Sequence, residues 1–171
     1  MERSELEREL EALHAESWGW ALACCARDPE LAEDALQTAY LRVLSGRAKF
    51  DGRSSLRTWV FGVIRMTAIE EHRRRHAWMA RNAGVDATMD VADPSPGADA
   101  TAESSEQRAI LIAALATVSA RQREVLQLVF YHGMTIEEAA RVMGVSVGSA
   151  RTHYERGKKA LAHTLATGAT R

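Results

Sequence analysis

Cysteine is nearly missing from this chain: Cys24 and Cys25 stand side by side, and there are no others. Two adjacent thiols cannot supply a four-ligand zinc site or a disulfide framework, so they read as reduced residues within a helix. The six histidines are dispersed, without the spacing of metal ligands. Proline occurs three times and glycine eleven, too few for a disordered or collagen-like chain. No apolar run reaches the ~18 residues that a membrane span needs. The charged opening MERSELERELE does not have the pattern of a signal peptide, so a cytoplasmic protein without membrane insertion is expected. Neither a phosphate-binding glycine loop nor a nucleophile elbow is found. Nothing in the residues asks for catalysis, a metal or another cofactor, and the expectation is a protein that is not an enzyme.

What is present is charge, unevenly placed. The net charge of −1 and pI of 6.6 conceal four blocks. Residues 1–41 hold ten acids against three arginines, −7, and residues 42–81 hold ten basic groups against three acids, +7. Residues 82–120 hold six acids against one arginine, −5, and the remainder has eight basic and four acidic groups, +4. Two basic blocks separated by an acidic spacer point to two contacts with one polyanion.

The most informative stretch runs from Thr135 to Lys159. Thr135 followed by Glu138 has the spacing of a capping box, so a short helix is expected to begin there. Gly144 stands where that helix must stop and turn, and Ser146 can cap a second helix. The inward positions of the second helix would be Val147, Ala150, Tyr154, Leu161 and Leu165. Its other side shows Ser149, Arg151, Thr152, His153, Glu155, Arg156, Lys158 and Lys159. Donors at helical spacing near a helix N-terminus suit insertion in the DNA major groove, and the whole reads as a helix-turn-helix. The plainer alternative is a solvated face on a helical hairpin.

Elsewhere the period is also helical. One helix is expected over Ser4–Arg27, ended by Asp28-Pro29, and another over Leu31–Leu44. A basic, turn-rich loop, Ser45–Ser55, leads into a third helix from Leu56 or Arg57 to about Arg75. From Asn82 to Ser105 the pattern gives way to an acidic, small-residue tether. Helices resume over Glu106–Ala116 and from a Ser119 cap to about Tyr131, with Val125, Leu126, Leu128, Val129 and Phe130 towards the core. The fold class is therefore all-α: two small helical domains, 1–81 and 106–171, joined by a flexible linker over 82–105.

Four stretches taken together resemble a group IV (extracytoplasmic-function, ECF) sigma factor of bacterial RNA polymerase. They are Leu31–Leu44, Phe50–Trp59 (FDGRSSLRTW), Val118–Val125 (VSARQREV) and Thr135–Leu161. The resemblance implies a sigma-2-like bundle and a sigma-4-like helix-turn-helix domain. It further implies binding to core RNA polymerase (clamp and flap), reading of the −35 and −10 elements of promoter DNA, and help in melting it. It also admits an anti-sigma factor as a partner. By position, Glu33, Asp34, Leu36, Gln37, Tyr40 and Leu41 would meet the clamp. Arg151, Thr152, Glu155 and Arg156, with Ser149 and Lys158 on the same face, would meet −35 DNA, and Arg123 and Thr135 would donate to its phosphates. On the −10 side the loop Phe50, Gly52, Arg53, Ser54 and Ser55 would cradle an extruded base. Arg57, Arg65 and the run Arg73, Arg74 and Arg75 would hold the displaced strand.

The chain departs from the family pattern at Gly62 and Met66, where an arginine and an asparagine are usual, and at Glu70, where aspartate is usual. Asp51 and Arg53 also look interchanged. Two other readings stay open: a LuxR-type helix-turn-helix regulator, and a polymerase-binding module that has lost promoter melting.

Overall fold

Asp28 does more than end a helix. Its carboxylate accepts from the backbone N–H groups of Glu30 (3.0 Å) and Leu31 (3.1 Å), and Pro29 occupies the first helical position. There its missing N–H costs nothing, so a pair expected only to break one helix also starts the next. The computed structural model describes residues 2–82 and 102–168. Over these the chain is all-α, and it divides into two units, Met1–Ala92 and Asp93–Arg171.

In the first unit the single helix expected over Ser4–Arg27 is two, α1 (Arg3–Ala12) and α2 (His14–Cys24). Backbone hydrogen bonds cross the joint, Leu13 N–H to Glu9 O at 3.0 Å and Ser17 N–H to Leu13 O at 2.9 Å. The ladder is locally redirected rather than opened. Ala26 and Arg27 then take left-handed φ values of 52° and 65°, unusual outside glycine, to turn the chain into α3 (Pro29–Leu44). Helix α4 (Leu56–Arg81) starts at a Ser55 cap and continues to Arg81 rather than stopping near Arg75.

Large and small residues alternate in this core. Trp20 stacks on Phe61 with ring centroids 5.9 Å apart, and its indole N–H donates to the Phe61 carbonyl at 3.0 Å. That bond satisfies the one polar group a buried tryptophan brings with it. Ala21, Ala32, Ala35 and Ala39 are buried around it, allowing α2, α3 and α4 to approach closely. Cys24 and Cys25, both half-buried at the end of α2, are not joined in a disulfide. Burial first, then the carboxylates of Asp28 and Glu71, push the Cys25 thiol up to about 11. A thiol so rarely ionised at neutral pH is a poor nucleophile, which fits a packing role.

In the second unit, α5 (Ala102–Ala116) leads to α6 (Ala120–Leu126), which continues as a π-helical turn over Gln127–Tyr131. The segment expected as a tether, 82–105, lies outside the described residues over 83–101, and its last residues fall within α5. Then come α7 (Ile136–Met143) and α8 (Val147–Gly168). Ser119 forms a capping box with Gln122 and Thr135 one with Glu138. Gly144 takes φ +64° at the turn between α7 and α8, the left-handed conformation that glycine adopts without penalty.

Candidate nucleic-acid interface

The helix-turn-helix is held together by small residues at a close crossing. Ala139, Ala140 and Ala150 are buried, as are Val142 and Met143, and α8 presses Gly157 against α6. A Cβ on Gly157 would sit 3.0 Å from Leu126 Cδ1 and 3.1 Å from Gln122 Cβ. A glycine inside a helix lowers its propensity, and this contact is what that cost accompanies. Its signal is visible in retrospect: it lies seven residues after Ala150, on the same helical face.

Turning that face inward leaves the opposite one in solvent. Ser149, Arg151, Thr152, Glu155 and Arg156 are all exposed along α8. Ser146 caps the helix by accepting from Ser149 N–H at 3.1 Å, and its hydroxyl donates to Ser149 Oγ at 2.9 Å. Thr152 donates to the Gly148 carbonyl at 3.0 Å, leaving its oxygen as an acceptor. Arg151 lies 3.8 Å from Glu137 of α7. Lys158 is 3.2 Å from Glu155 and sits over the Tyr154 ring at 4.5 Å, so it is already engaged within the unit.

Not every residue expected to serve as a contact or in the core is placed simply so. The Arg123 guanidinium donates to the carbonyls of Leu115 (2.9 Å), Val118 (3.2 Å) and Ala116 (3.4 Å). It closes the C-terminal end of α5, whose last carbonyls otherwise lack helical partners. Phe130, expected in the core, is 64% exposed, because the π-helical turn inserts a residue and rotates it outward against Tyr154. Val147 and Leu165, expected inward, are covered for the most part, 37% and 36% exposed. Thr135 is exposed, with its hydroxyl oxygen accepting from Glu138 N–H at 3.1 Å.

In the first unit the basic block is built by the loop before α4 and by α4 itself. Gly52 has φ +72°, and Arg53 N–H donates to Asp51 Oδ1 at 3.1 Å, which folds the loop into a tight turn. Phe50 packs on Trp59 with centroids 5.3 Å apart. Ser55 is a cap, accepting from Thr58 N–H at 3.1 Å and donating to Thr58 Oγ1 at 2.8 Å. Ser54 donates to the Ser55 carbonyl at 3.2 Å. Arg57 pairs with Glu16 at 2.6 Å and lies over the Phe61 ring. Arg73, Arg74 and Arg75 are exposed, Arg74 paired with Glu71. Arg65 is only 8% exposed, on the inward side of α4 with Ile64 and Ala68, so it does not present its guanidinium to a strand. His72 and His76, read as dispersed, meet edge to face at 4.3 Å, one helical turn apart. No group of three metal-ligating side chains occurs among the described residues.

A separate feature of this unit is a groove of about 360 Å³ between α2 and α3, lined by His14, Trp18, Glu33, Leu36, Gln37 and Tyr40. It gathers four of the six residues expected to meet the polymerase, and adds His14 and Trp18, which the sequence did not mark. Asp34 and Leu41 are also on exposed α3 surface, Leu41 being 67% exposed. Burial raises the Tyr40 phenol above its ordinary value, against the opposing effect of a Ser17 hydrogen bond. The phenol therefore remains a donor at neutral pH.

Residues 10–84 match the family model for Sigma-70 region 2, and residues 108–161 that for Sigma-70, region 4. The ECF RNA polymerase sigma factor SigX of Bacillus subtilis is 34% identical over 137 residues, covering 79% of this chain and 71% of that protein. This chain belongs to the ECF RNA polymerase sigma factors. Another relative, RNA polymerase sigma factor CarQ of Myxococcus xanthus, is 29% identical, covering 92% of this sigma factor and 87% of CarQ. The fold matches that of the sigma factor RpoE from Bartonella quintana, solved in complex with the anti-sigma factor NepR. The TM-score is 0.74 at 22% identity, covering 94% and 96% of the two chains. CnrH, solved with the cytosolic domain of CnrY, gives a TM-score of 0.61 at 20% identity, covering 93% and 86%. The region 2 match accounts for the N-terminal half that a LuxR-type regulator would leave unexplained. The chain is an RNA polymerase sigma factor, of a family whose members are generally not enzymes, and no described helix is long and apolar enough to cross a membrane.

Proposed function

We propose that this sigma factor binds bacterial core RNA polymerase through its N-terminal unit and delivers it to promoters through both units. Residues 1–81 act as the sigma-2 domain and 106–171 as the sigma-4 domain, with 82–105 as the tether. The observation that supports this most strongly is the exposed row on α8, opposite the seam of Ala150 and Gly157. Ser149, Arg151, Thr152 and Arg156 read or grip the −35 element, with Glu155 as an acceptor for cytosine N4 and Thr135 on the adjoining backbone. Lys158 contributes to the local field from its place over Tyr154. The loop Phe50–Ser55, with Arg57, Arg73 and Arg74, handles the −10 strand; Arg65 and Arg123 are left out because they act inside their own units. The groove of His14, Trp18, Leu36 and Tyr40, rimmed by Glu33, Asp34, Gln37 and Leu41, receives the clamp.

The protein contributes binding and DNA distortion, with no bond-making step of its own, and works in the cytoplasm. RpoE and CnrH were each solved with a partner protein, and an anti-sigma factor is the matching regulator here. The test is reconstitution with bacterial core RNA polymerase and transcription from a genomic fragment library. Discrete transcripts sharing a −35/−10 pair are expected. Core binding without transcripts, and without permanganate-reactive thymines, would leave only a polymerase-binding module, and failure to bind core would overturn the reading.

A further inference from the structure

The far end of α4 carries two imidazoles within chelating reach of each other. Of the six histidines, only His72 and His76 stand four residues apart, a spacing that puts both on one helical face. Their rings meet at 4.3 Å between centroids, with planes 69° apart. Both side chains are exposed, and no hydrogen bond holds either ring among the described residues, so core packing does not account for the pair. Two imidazole nitrogens bound to one tetrahedral ion at about 2.0–2.1 Å lie roughly 3.3 Å apart. Rings already this close reach that separation by turning about their side-chain bonds, with the helix backbone left in place. The neighbouring acids are committed elsewhere, Glu71 to Arg74 and Glu70 to Arg42 at 2.5 Å. The donor set is therefore nitrogen alone, which disfavours magnesium and calcium and suits nickel, copper or zinc.

We infer that His72 and His76 chelate one late transition-metal dication, nickel, copper or zinc, across a single turn at the exposed end of α4. Two protein ligands leave the other coordination positions to water, so the ion exchanges with solvent, unlike one sealed in a four-ligand structural site. A chelate between positions four apart closes the turn it spans and favours the helical form of the segment that bears it. It also sets two positive charges beside Arg73 and Arg75, both exposed on the same stretch. The site needs neither DNA nor polymerase, so it stands apart from the promoter-binding role proposed for this unit.

The test is calorimetric titration of nickel ion into the untagged full chain at neutral pH, with magnesium ion as the comparison. Nickel should bind and magnesium should not. His72→Ala and His76→Ala should each weaken nickel binding about tenfold or more, while His163→Ala leaves it unchanged. Circular dichroism checks that these exposed substitutions keep the helical content. Amide exchange across residues 72–82 should slow with nickel in the parent and not in His76→Ala. Spacing separates chelation from a general loss of imidazole. In the His76→Ala background, Arg75→His places a histidine three residues from His72 and should recover binding in part, whereas Arg74→His, two residues away, should not. A parent chain that takes up no nickel, or one whose nickel affinity is unmoved by His72→Ala, overturns the site. Equal recovery from Arg74→His and Arg75→His overturns it as well.

Discussion

The two units solve the same packing problem with different materials. In the N-terminal unit, helices are held apart by Trp20 and Phe61 and let together by the alanines of α3. In the C-terminal unit no aromatic is fully buried among the described residues. There α8 crosses α6 and α7 on Gly157, Ala150, Ala139 and Ala140, with Leu126, Leu128 and Met143 beneath. A core built around a large ring is injured most by truncation, which leaves a cavity. A core built on close approach is injured most by enlargement, since its backbones have nowhere to go.

That contrast can be broken in both directions. Trp20→Ala should destabilise the N-terminal unit by about 4 kcal/mol, through the lost ring and the Phe61 carbonyl left without its indole donor. Urea unfolding followed by tryptophan fluorescence would report it, because the remaining tryptophans, Trp18, Trp59 and Trp78, all belong to that unit. Gly157→Val should cost the C-terminal unit about 3 kcal/mol. It should show as faster amide exchange along α7 and α8, with the tryptophan transition unmoved. If both substitutions disturbed both probes equally, the two units would not be energetically separate.

Smaller effects sharpen the comparison. Arg123→Met should cost about 1–2 kcal/mol by uncapping α5, and the salt dependence of −35 DNA binding should not change, as it would if Arg123 held a phosphate. Ala26→Gly should stabilise the N-terminal unit by about 1 kcal/mol by relieving the left-handed backbone at φ 52°. Cys25 should alkylate slowly at neutral pH and accelerate as pH climbs towards about 11. Because its folded pKa is raised, the associated stability is present below the ordinary thiol value of 9.0 and is lost as pH rises through about 11. A thiol that reacts fully at pH 7 would contradict the burial described for it.

The same difference in materials explains what could be read in advance. The helix-turn-helix is local: cap, glycine turn and polar face follow one another within a single stretch, and Thr135, Gly144 and the exposed row on α8 stand where their spacing indicates. The groove between α2 and α3 is not local. Its His14 and Trp18 come from α2 and its Leu36 and Tyr40 from α3, so no spacing along the chain connects them. The inward turn of Arg65 and Arg123 was not legible, because an arginine looks the same in sequence whether it faces solvent or its own unit. Burial on α4 and three carbonyls at the end of α5 decide their orientation. Phe130 followed the expected α-helical period until the π-helical turn changed the period itself.

That turn has a consequence for how the chain tolerates change in length. His132 N–H donates to Gln127 O at 3.1 Å, five residues back, and Met134 N–H donates to Leu128 O at 2.9 Å. Everything downstream, including the Thr135 cap and the orientation of α7 and α8, is phased by this surplus residue. Each residue of an α-helix advances the chain by about 100°, and the wider turn absorbs one residue beyond that count, so an in-frame loss of one codon between Gln127 and Tyr131 would close it to an ordinary α-helical turn with the following helices near their present orientation. The same loss within α6, where no residue is surplus, would re-aim the exposed row on α8.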